Sequence, residues 1–478
     1  MEWLAGNDYE LARQVLQRGV AALYIVAFVS TLNQFRALLG ENGLLPTTDL
    51  LERGGARGPT LFRRWGYSDR KLVAVCVLGV ALASTVLLGL PQLGPPWLPL
   101  GVFLALWGLY MSVVNVGQTF YGFGWEMLLL EAGFTVGLLG SNQVPPPTTV
   151  LILIAWLVFR LEFGAGMIKL RGDVAWRNLT ALYYHHETQP MPGPLSRQAH
   201  LLPAWWHRIE AAGNHATQLV VPFLLFLPQP VASVAAAVII LTQLWLVATG
   251  NFAWLNWIAI VLAFSAVSDG TIHALLPAVP ADLGTPPTAP LWWDVLVLGA
   301  SLGLAAASFP ALRNLFSKRQ LMNASFNRWQ LGNAYGAFGS VTRERVEIVV
   351  EGTRDDAAAP DARWWEYEFK GKPGDVTRRP AQFAPYHLRL DWLMWFLPLR
   401  SVHERWFYAF LGKLLAADPA TLRLLRRDPF DGEQPRSVRV WSYHYRFATR
   451  AERRATGAYW VRDRGRLQIP PVGRGDGG

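Results

Sequence analysis

The sequence predicts a polytopic α-helical membrane protein of six to nine spans with a C-terminal α+β domain outside the bilayer. Three observations carry that expectation. Of the 478 residues, 52% are hydrophobic, only 16% are charged and 22 are Trp, which is too apolar and too Trp-rich for an ordinary soluble domain. Apolar stretches of the roughly 20 residues that a spanning helix needs recur through the first two thirds of the chain. Charge then divides the chain in two. Residues 1–312 carry 15 Lys and Arg against 16 Asp and Glu, whereas 313–478 carry 29 against 18.

Taken in order, the clear spans are 16–36, 72–90, 97–118, 150–170, 231–250 and 291–311. Three further stretches have weaker claims: 123–140 carries Glu126 and Glu131, 216–229 is broken by Pro222 and Pro228, and 252–268 is short. Pro-rich joints at 91–99, 144–147 and 277–290 mark turns. Trp3, Asp8 and Glu10 precede an apolar run that reads as a true span, so no cleavable signal peptide is expected. A loop rich in Trp, Tyr and His occupies 171–215, and a basic domain follows from 313 to 478. There, 343–351, 363–370 and 437–447 alternate as half-buried strands, while 401–416 and 420–427 read as helices, the second started by Asp418-Pro419. Trp392, Trp395 and Phe396 are too apolar for a free surface and are expected on the membrane part or in the interface.

The single cysteine, Cys76, sits in an apolar stretch and excludes an internal disulfide or a CxxC redox centre. No motif supports nucleic-acid binding; the basic domain suits anionic headgroups, an acidic protein surface, or simply solvent. Arg-rich, cysteine-poor composition favours a bacterial inner membrane, with the endoplasmic reticulum as the setting if the source is eukaryotic. Asn178-Leu-Thr180 and Asn323-Ala-Ser325 fit a glycosylation pattern that is common by chance.

One string stands apart: FGAGMIKLRGDVAWRNLTALYYHHETQPMPGPLS, beginning at Phe163. It closely resembles the lipase maturation factor family. The match resumes in FNRWQLGNAYGAFGSV (326–341), FKGKPGDVTRRPAQFAPYHLRLDWLMWF (369–396), LLRRDPF (424–430) and RSVRVWSYHYRF (436–447). The resemblance implies a multi-spanning protein with an extramembrane C-terminal domain. It also implies residence in the endoplasmic reticulum for the studied members, and assistance to secreted lipases as they fold and assemble into active homodimers. The expected partners are therefore a secreted lipase or other exported hydrolase and membrane lipid, with no cofactor. A shorter likeness, AGMIKLRGDVAW, is similar to the G-x-x-K-L segment of the vitamin K-dependent carboxylase, in which a lysine serves as base.

Orientation has two conflicting indications. Basic residues gather at Arg53, Arg57, Arg63, Arg64, Arg70 and Lys71, through 169–215, and at Arg313, Lys318 and Arg319, which places these loops on the cytoplasmic side. The family resemblance places the C-terminal domain on the exoplasmic or luminal side, and that placement is adopted as the expectation.

The candidate chemistry is an intramembrane polar cluster of Glu126, Glu131, Arg160, Glu162 and Lys169. Ionisable groups at membrane depth must be paired or wetted. Glu162, Ala165, Gly166 and Lys169 share one helical stripe, polar at its ends and small in the middle, able to line a pocket or accept a helix. Glu126 and Glu131 point apart, so they are expected to meet Arg160 or Lys169 rather than to act as an acid/base pair. Lys169 is expected to snorkel to the headgroups; the alternative is a desolvated base, with Glu162, in a membrane enzyme or a quinone- or lipid-binding oxidoreductase. His185, His186 and Glu187 lie on what reads as an irregular segment without HExxH spacing, so no metal site is expected. His387 and His444 read as isolated structural residues. No GxSxG elbow or triad appears, and GKPG (371–374) is a turn, so no catalytic residue is assigned. Trp176, Asn178, Tyr183, Tyr184, Glu187, Gln189 and Pro190 are the candidates for architectural or client-facing roles. Trp205 and Trp206 suit an interfacial belt, with 199–212 lying along the membrane surface.

Overall fold

Each of the six clear apolar stretches forms a helix long and apolar enough to cross a membrane, and their bounds follow local signals. The computed structural model describes residues 4–56, 58–278 and 288–473; Trp3, Arg57 and residues 279–287 of the expected Pro-rich joint lie outside them. In chain order the main helices are α1 (Glu10–Leu39), α2 (Asp69–Leu87), α3 (Trp97–Val114), α4 (Gly124–Gly137), α5 (Thr148–Arg171), α6 (Leu182–Thr188), α7 (Ala204–Leu219), α8 (Val231–Thr249), α9 (Leu255–Ala263) and α10 (Leu291–Ala307). Ser68 starts α2 by accepting from the Lys71 amide, leaving the apolar run free to continue to Leu87.

The short stretches also traverse the bundle, as their end contacts establish. One face gathers the loop after α1 and the end of α3, where Asn115 donates to Pro59 O at 2.7 Å and Thr60 to Ser112 O at 2.9 Å. The opposite face gathers the start of α1, the α2–α3 turn and the end of α4. There the Asn142 amide donates to Gln92 O at 2.9 Å, and Arg13 donates to Val144 O at 2.6 Å. From the first face α4 crosses to the second; α7 with Val221–Leu224 does the same, ending where Gln229 meets Ala266 O at 2.9 Å. The third, α9, runs on through Phe264–Ala266 and bends by 106° into Asp269–Leu275. With these three passes the basic loops around 36–71, 169–215 and 313–319 all fall on one face, together with the C-terminal domain.

That domain is a four-stranded antiparallel sheet of order β2-β1-β3-β4, with β1 Arg345–Thr353, β2 Trp365–Glu366, β3 Ser437–Phe447 and β4 Trp460–Gly473. Register places Val350 opposite Val440, and Val440 opposite Ile469. Helices α11 (Arg389–Phe396) and α12 (Arg405–Leu415) pack between sheet and bundle. Expected strands 343–351 and 437–447 are present, whereas 363–370 contributes only two strand residues and 420–427 only the turn Pro419–Leu422, capped by Asp418. Segment β4 was not expected. The bundle and the domain share one hydrophobic core: Trp406 meets Phe120 at 5.7 Å between ring centroids, and Trp392 meets Trp125 at 4.9 Å.

Candidate functional site

On α5 the stripe of Glu162, Ala165, Gly166 and Lys169 accepts a helix. A Cβ on Gly166 would stand 2.7 Å from the Leu219 side chain, so α7 seats here only over glycine. That approach delivers Gln218, whose oxygen accepts from Lys169 Nζ at 2.8 Å and whose amide donates to Glu162 Oε2 at 3.2 Å. Asn214 accepts a second bond from Lys169 at 2.8 Å, and the ammonium stands 4.6 Å over the Trp176 ring. Gln243 on α8 donates to Glu162 Oε1 at 2.5 Å and is oriented by Asn256 on α9 at 2.6 Å. Lys169 is therefore buried and turned inward, so the snorkelling expectation is corrected: its side-chain partners, Asn214 and Gln218, lie on α7 within the protein. Two side-chain oxygens and an aromatic face surround its ammonium.

The five expected intramembrane charges do not form one cluster; they divide among three sites. Glu131 meets Arg160 as expected, and accepts from Tyr335 OH at 2.8 Å and the Asn333 amide at 3.1 Å, while Arg160 donates to Asn333 O at 2.7 Å. Glu126 meets neither Arg160 nor Lys169. It pairs with Arg389 of α11 at 2.6 Å and accepts from Tyr110 OH. The correction has a simple origin: α4 begins at the face where α11 docks, so its first carboxylate meets the domain and its second meets α5. His387, expected to be isolated, lies 3.9 Å from Glu126 within a cage of Phe123, Trp125, Trp254 and Trp392 rings. Burial, then the Arg389 charge, pushes its imidazole down to about 4, keeping it neutral. His444 is paired too, with Nδ1 3.1 Å from Glu344.

The aromatic loop separates into architecture and surface. Trp176 is buried and donates to Phe338 O at 2.8 Å. Gln189 donates to His186 O (3.1 Å), Ser196 Oγ (3.1 Å) and Thr249 O (2.7 Å). Glu187 accepts from the Phe447 amide at 2.6 Å; burial raises its carboxyl above the ordinary value although that amide and Arg345 oppose the shift. Arg345 of β1 reads the loop backbone, donating to Glu187 O at 2.9 Å and Pro190 O at 3.0 Å. Asn178 is exposed, and Tyr183 and Tyr184 are half-buried, bonded to Arg208 Nε at 3.0 Å and stacked by Arg343 at 4.8 Å. Trp205 and Trp206, at the start of α7, are exposed.

Sequence reasoning missed Arg345, Lys372 and Arg389. Lys372 pairs with Glu347, which also meets Arg345 at 2.5 Å, all three inside the domain. Arg389, between Leu388 and Leu390, offered the one local signal; Arg345 follows Arg343-Glu344 and Lys372 lies in the GKPG turn. It missed as well that His185 and His186 lie on a helix, α6, not an irregular segment. His185 turns toward Phe338, 5.1 Å between centroids, and burial pushes it down to about 3. His186 turns the other way, to His207 and Glu210 on α7, and among the described residues these three bring ligand atoms close enough for a metal ion.

Two cavities flank these elements. One of about 370 Å³ is bordered by Glu162, Lys169, His185, His186 and Glu210. The other, about 1100 Å³, is an open groove between the bundle and α11, with Trp392, Trp395 and Phe396 along its wall and Arg171, Lys318 and Arg400 at its rim.

Two family models match the chain: the lipase maturation factor transmembrane domain over residues 11–274 and the lipase maturation factor C-terminal domain over 331–470. Lipase maturation factor 1 of Bos taurus is 39% identical over 515 residues, covering 99% of this chain and 91% of that protein. The Homo sapiens protein of the same name is 40% identical over 509 residues, covering 98% and 88%. Lipase maturation factor 2 of Gallus gallus is 28% identical over 601 residues, covering 98% and 82%. No solved structure matches the chain. These relatives are vertebrate, and nothing in them supports the bacterial setting over the endoplasmic reticulum. Matched through both its bundle and its docked domain, this integral membrane protein belongs to the lipase maturation factor family.

Proposed function

We propose that this protein assists the folding and assembly of a secreted lipase or related exported hydrolase, acting as a docking surface and not as an enzyme. The observation that carries the reading is the groove of about 1100 Å³. It is open, walled by Trp and Phe, rimmed by Arg and Lys, and flanked by exposed Leu321, Met322 and Leu399. Aromatic anchors inside a polar rim are the anatomy of a protein-binding surface. In this reading residues 1–312 form the membrane anchor, exposing leucines such as Leu241 to lipid, and 313–478 form the client-binding part. Asn178, Tyr183 and Tyr184 extend the client-facing surface, whereas Trp176, Glu187, Gln189 and Pro190 hold the loop to the domain. The groove faces the exoplasmic or luminal side, in the bacterial inner membrane or the endoplasmic reticulum membrane according to the source. The enzyme alternative is not favoured, because the bonds recorded for Glu162 and Lys169 go to side-chain amides that hold three helices together.

The test is a photo-crosslinking residue placed at Met322 or Leu399 in cells that secrete a lipase. Capture of the unassembled lipase, with loss of active secreted lipase in a null strain, supports the reading. No crosslinked protein and unchanged lipase secretion overturn it.

A further inference from the structure

We propose that His186, His207 and Glu210 form a zinc-class divalent metal site that clips α6 to α7 inside the aromatic loop. His207 and Glu210 stand three apart on α7 and so share a helical face; His186 reaches them from α6. All three ligand atoms lie within 4.8 Å of one another. His186 Nε2 is 3.4 Å from Glu210 Oε1. Metal–ligand bonds of about 2.0–2.2 Å at tetrahedral angles place neighbouring ligands roughly 3.3 to 3.6 Å apart, so that edge is already at coordination length and the third ligand has about 1 Å to close.

Unspent lone pairs supply the second, independent observation. His186 is 1% exposed, its Nδ1 is unpartnered and its Nε2 has only the 3.4 Å contact with Glu210; His207 Nδ1 and Glu210 Oε2 are likewise buried without a hydrogen bond. Buried polar atoms are nearly always satisfied, and one ring nitrogen of His186, His207 Nδ1 and a Glu210 carboxylate oxygen gathered within 4.8 Å of one another call for a ligand. The surroundings are those of a metal centre's outer shell. His207 Nε2 lies 3.2 Å from His200 O, which fixes the proton on Nε2 and leaves the Nδ1 lone pair free. Trp245 donates to Glu210 Oε1 at 2.6 Å and orients the carboxylate. Two imidazoles and one carboxylate are a donor set for zinc and its first-row neighbours rather than for calcium or magnesium. His186 and Glu210 also border the cavity of about 370 Å³, so a fourth position opens onto that space.

The experiment uses the full-length protein in detergent, stripped with chelator and then titrated with zinc chloride, with bound metal measured after desalting. Cobalt(II) in parallel reports coordination through its d–d absorption, and iron(II) under anaerobic conditions tests selectivity. The expected result is one zinc per chain, intense cobalt bands of a four-coordinate site, and zinc affinity lowered at least tenfold in His186→Gln and in Glu210→Gln. His185→Gln, whose ring faces Phe338, keeps its zinc. Wild-type protein that retains no metal above background overturns the proposal without reference to any variant. So does zinc binding that the His186 and Glu210 substitutions leave unchanged. A stronger preference for iron(II) than for zinc overturns the metal assignment.

Discussion

Removing the Arg389 side chain tests how the C-terminal domain is held. Arg389 and Glu126 are both fully buried; the guanidinium donates to Glu126 Oε1 at 2.6 Å and Phe120 O at 2.8 Å, and stacks on the Tyr121 ring at 3.5 Å. Arg389→Ala leaves a carboxylate uncompensated in the core, which costs about 3–5 kcal/mol. At about 1.4 kcal/mol per decade, undocking of α11 from the bundle becomes roughly 100- to 4000-fold more frequent. Replacing both partners, as in Glu126→Gln with Arg389→Met, removes the stranded charge and is expected to recover most of that loss. The assay is thiol labelling of Ser30→Cys. Ser30 is buried on α1 and donates to His387 O at 3.1 Å, so it becomes reactive only when the domain lifts; the native Cys76 is itself buried and contributes little background. A labelling rate in Arg389→Ala within threefold of the parent refutes the reasoning. A double variant that labels as fast as the single one shows that the two groups are not coupled.

Three further outcomes follow from particular contacts. Asp173 caps the Ala175 amide at 2.9 Å and accepts from the Val341 amide at 3.2 Å and from Arg343 at 2.8 Å. Burial pushes its carboxyl up, but these donors outweigh it and leave the group below the ordinary value of about 3.9. Its contribution is therefore complete above about pH 4 and is lost as pH falls through the depressed value. Hydrogen exchange at the Val341 amide, corrected for intrinsic rate, should accelerate over that acid range in the parent and show no such step in Asp173→Asn. Lys169→Met leaves the Asn214 and Gln218 oxygens without donors and should cost about 1–3 kcal/mol. Lipase secretion normalised to the amount of folded protein should stay within twofold, and its abolition at full abundance would restore the enzyme reading. Finally, single cysteines at Gly54 and Gly432 should label from the same side of the membrane and one at Gly94 from the other. Labelling of the first two from the cytoplasm would establish the charge-based orientation against the family-based one.

The long helices were legible because each is a single apolar run whose ends carry local signals, as Ser68 does for α2. The strand β4 was not. Trp460–Gly473 contains Gly465, Pro470, Pro471 and several charges, and only an edge strand, as β4 is in the order β2-β1-β3-β4, tolerates such a sequence. Helix α4 was doubtful for a related reason. Its 14 residues with two glutamates look too short and too polar to cross, yet both carboxylates are paired inside the protein. Site residues followed the same division. The facing of Glu162 and Lys169 is a matter of helical period, and the sequence carries it. The partnership of Glu126 with Arg389, 263 residues apart, is set by which face α11 docks on, and no local pattern encodes that.

The pairing of bundle carboxylates with late residues has a consequence for how the chain is made. Glu126 and Glu131 enter the membrane early in synthesis, but their partners Asn333, Tyr335 and Arg389 emerge only after the last span. Until then one glutamate has no cation and the other lacks three of its five donated bonds, so the nascent bundle is incomplete. Any truncation before Arg389 thus strands a charge inside the membrane part, and premature stop codons there should clear the whole protein from the membrane instead of leaving a partly working anchor.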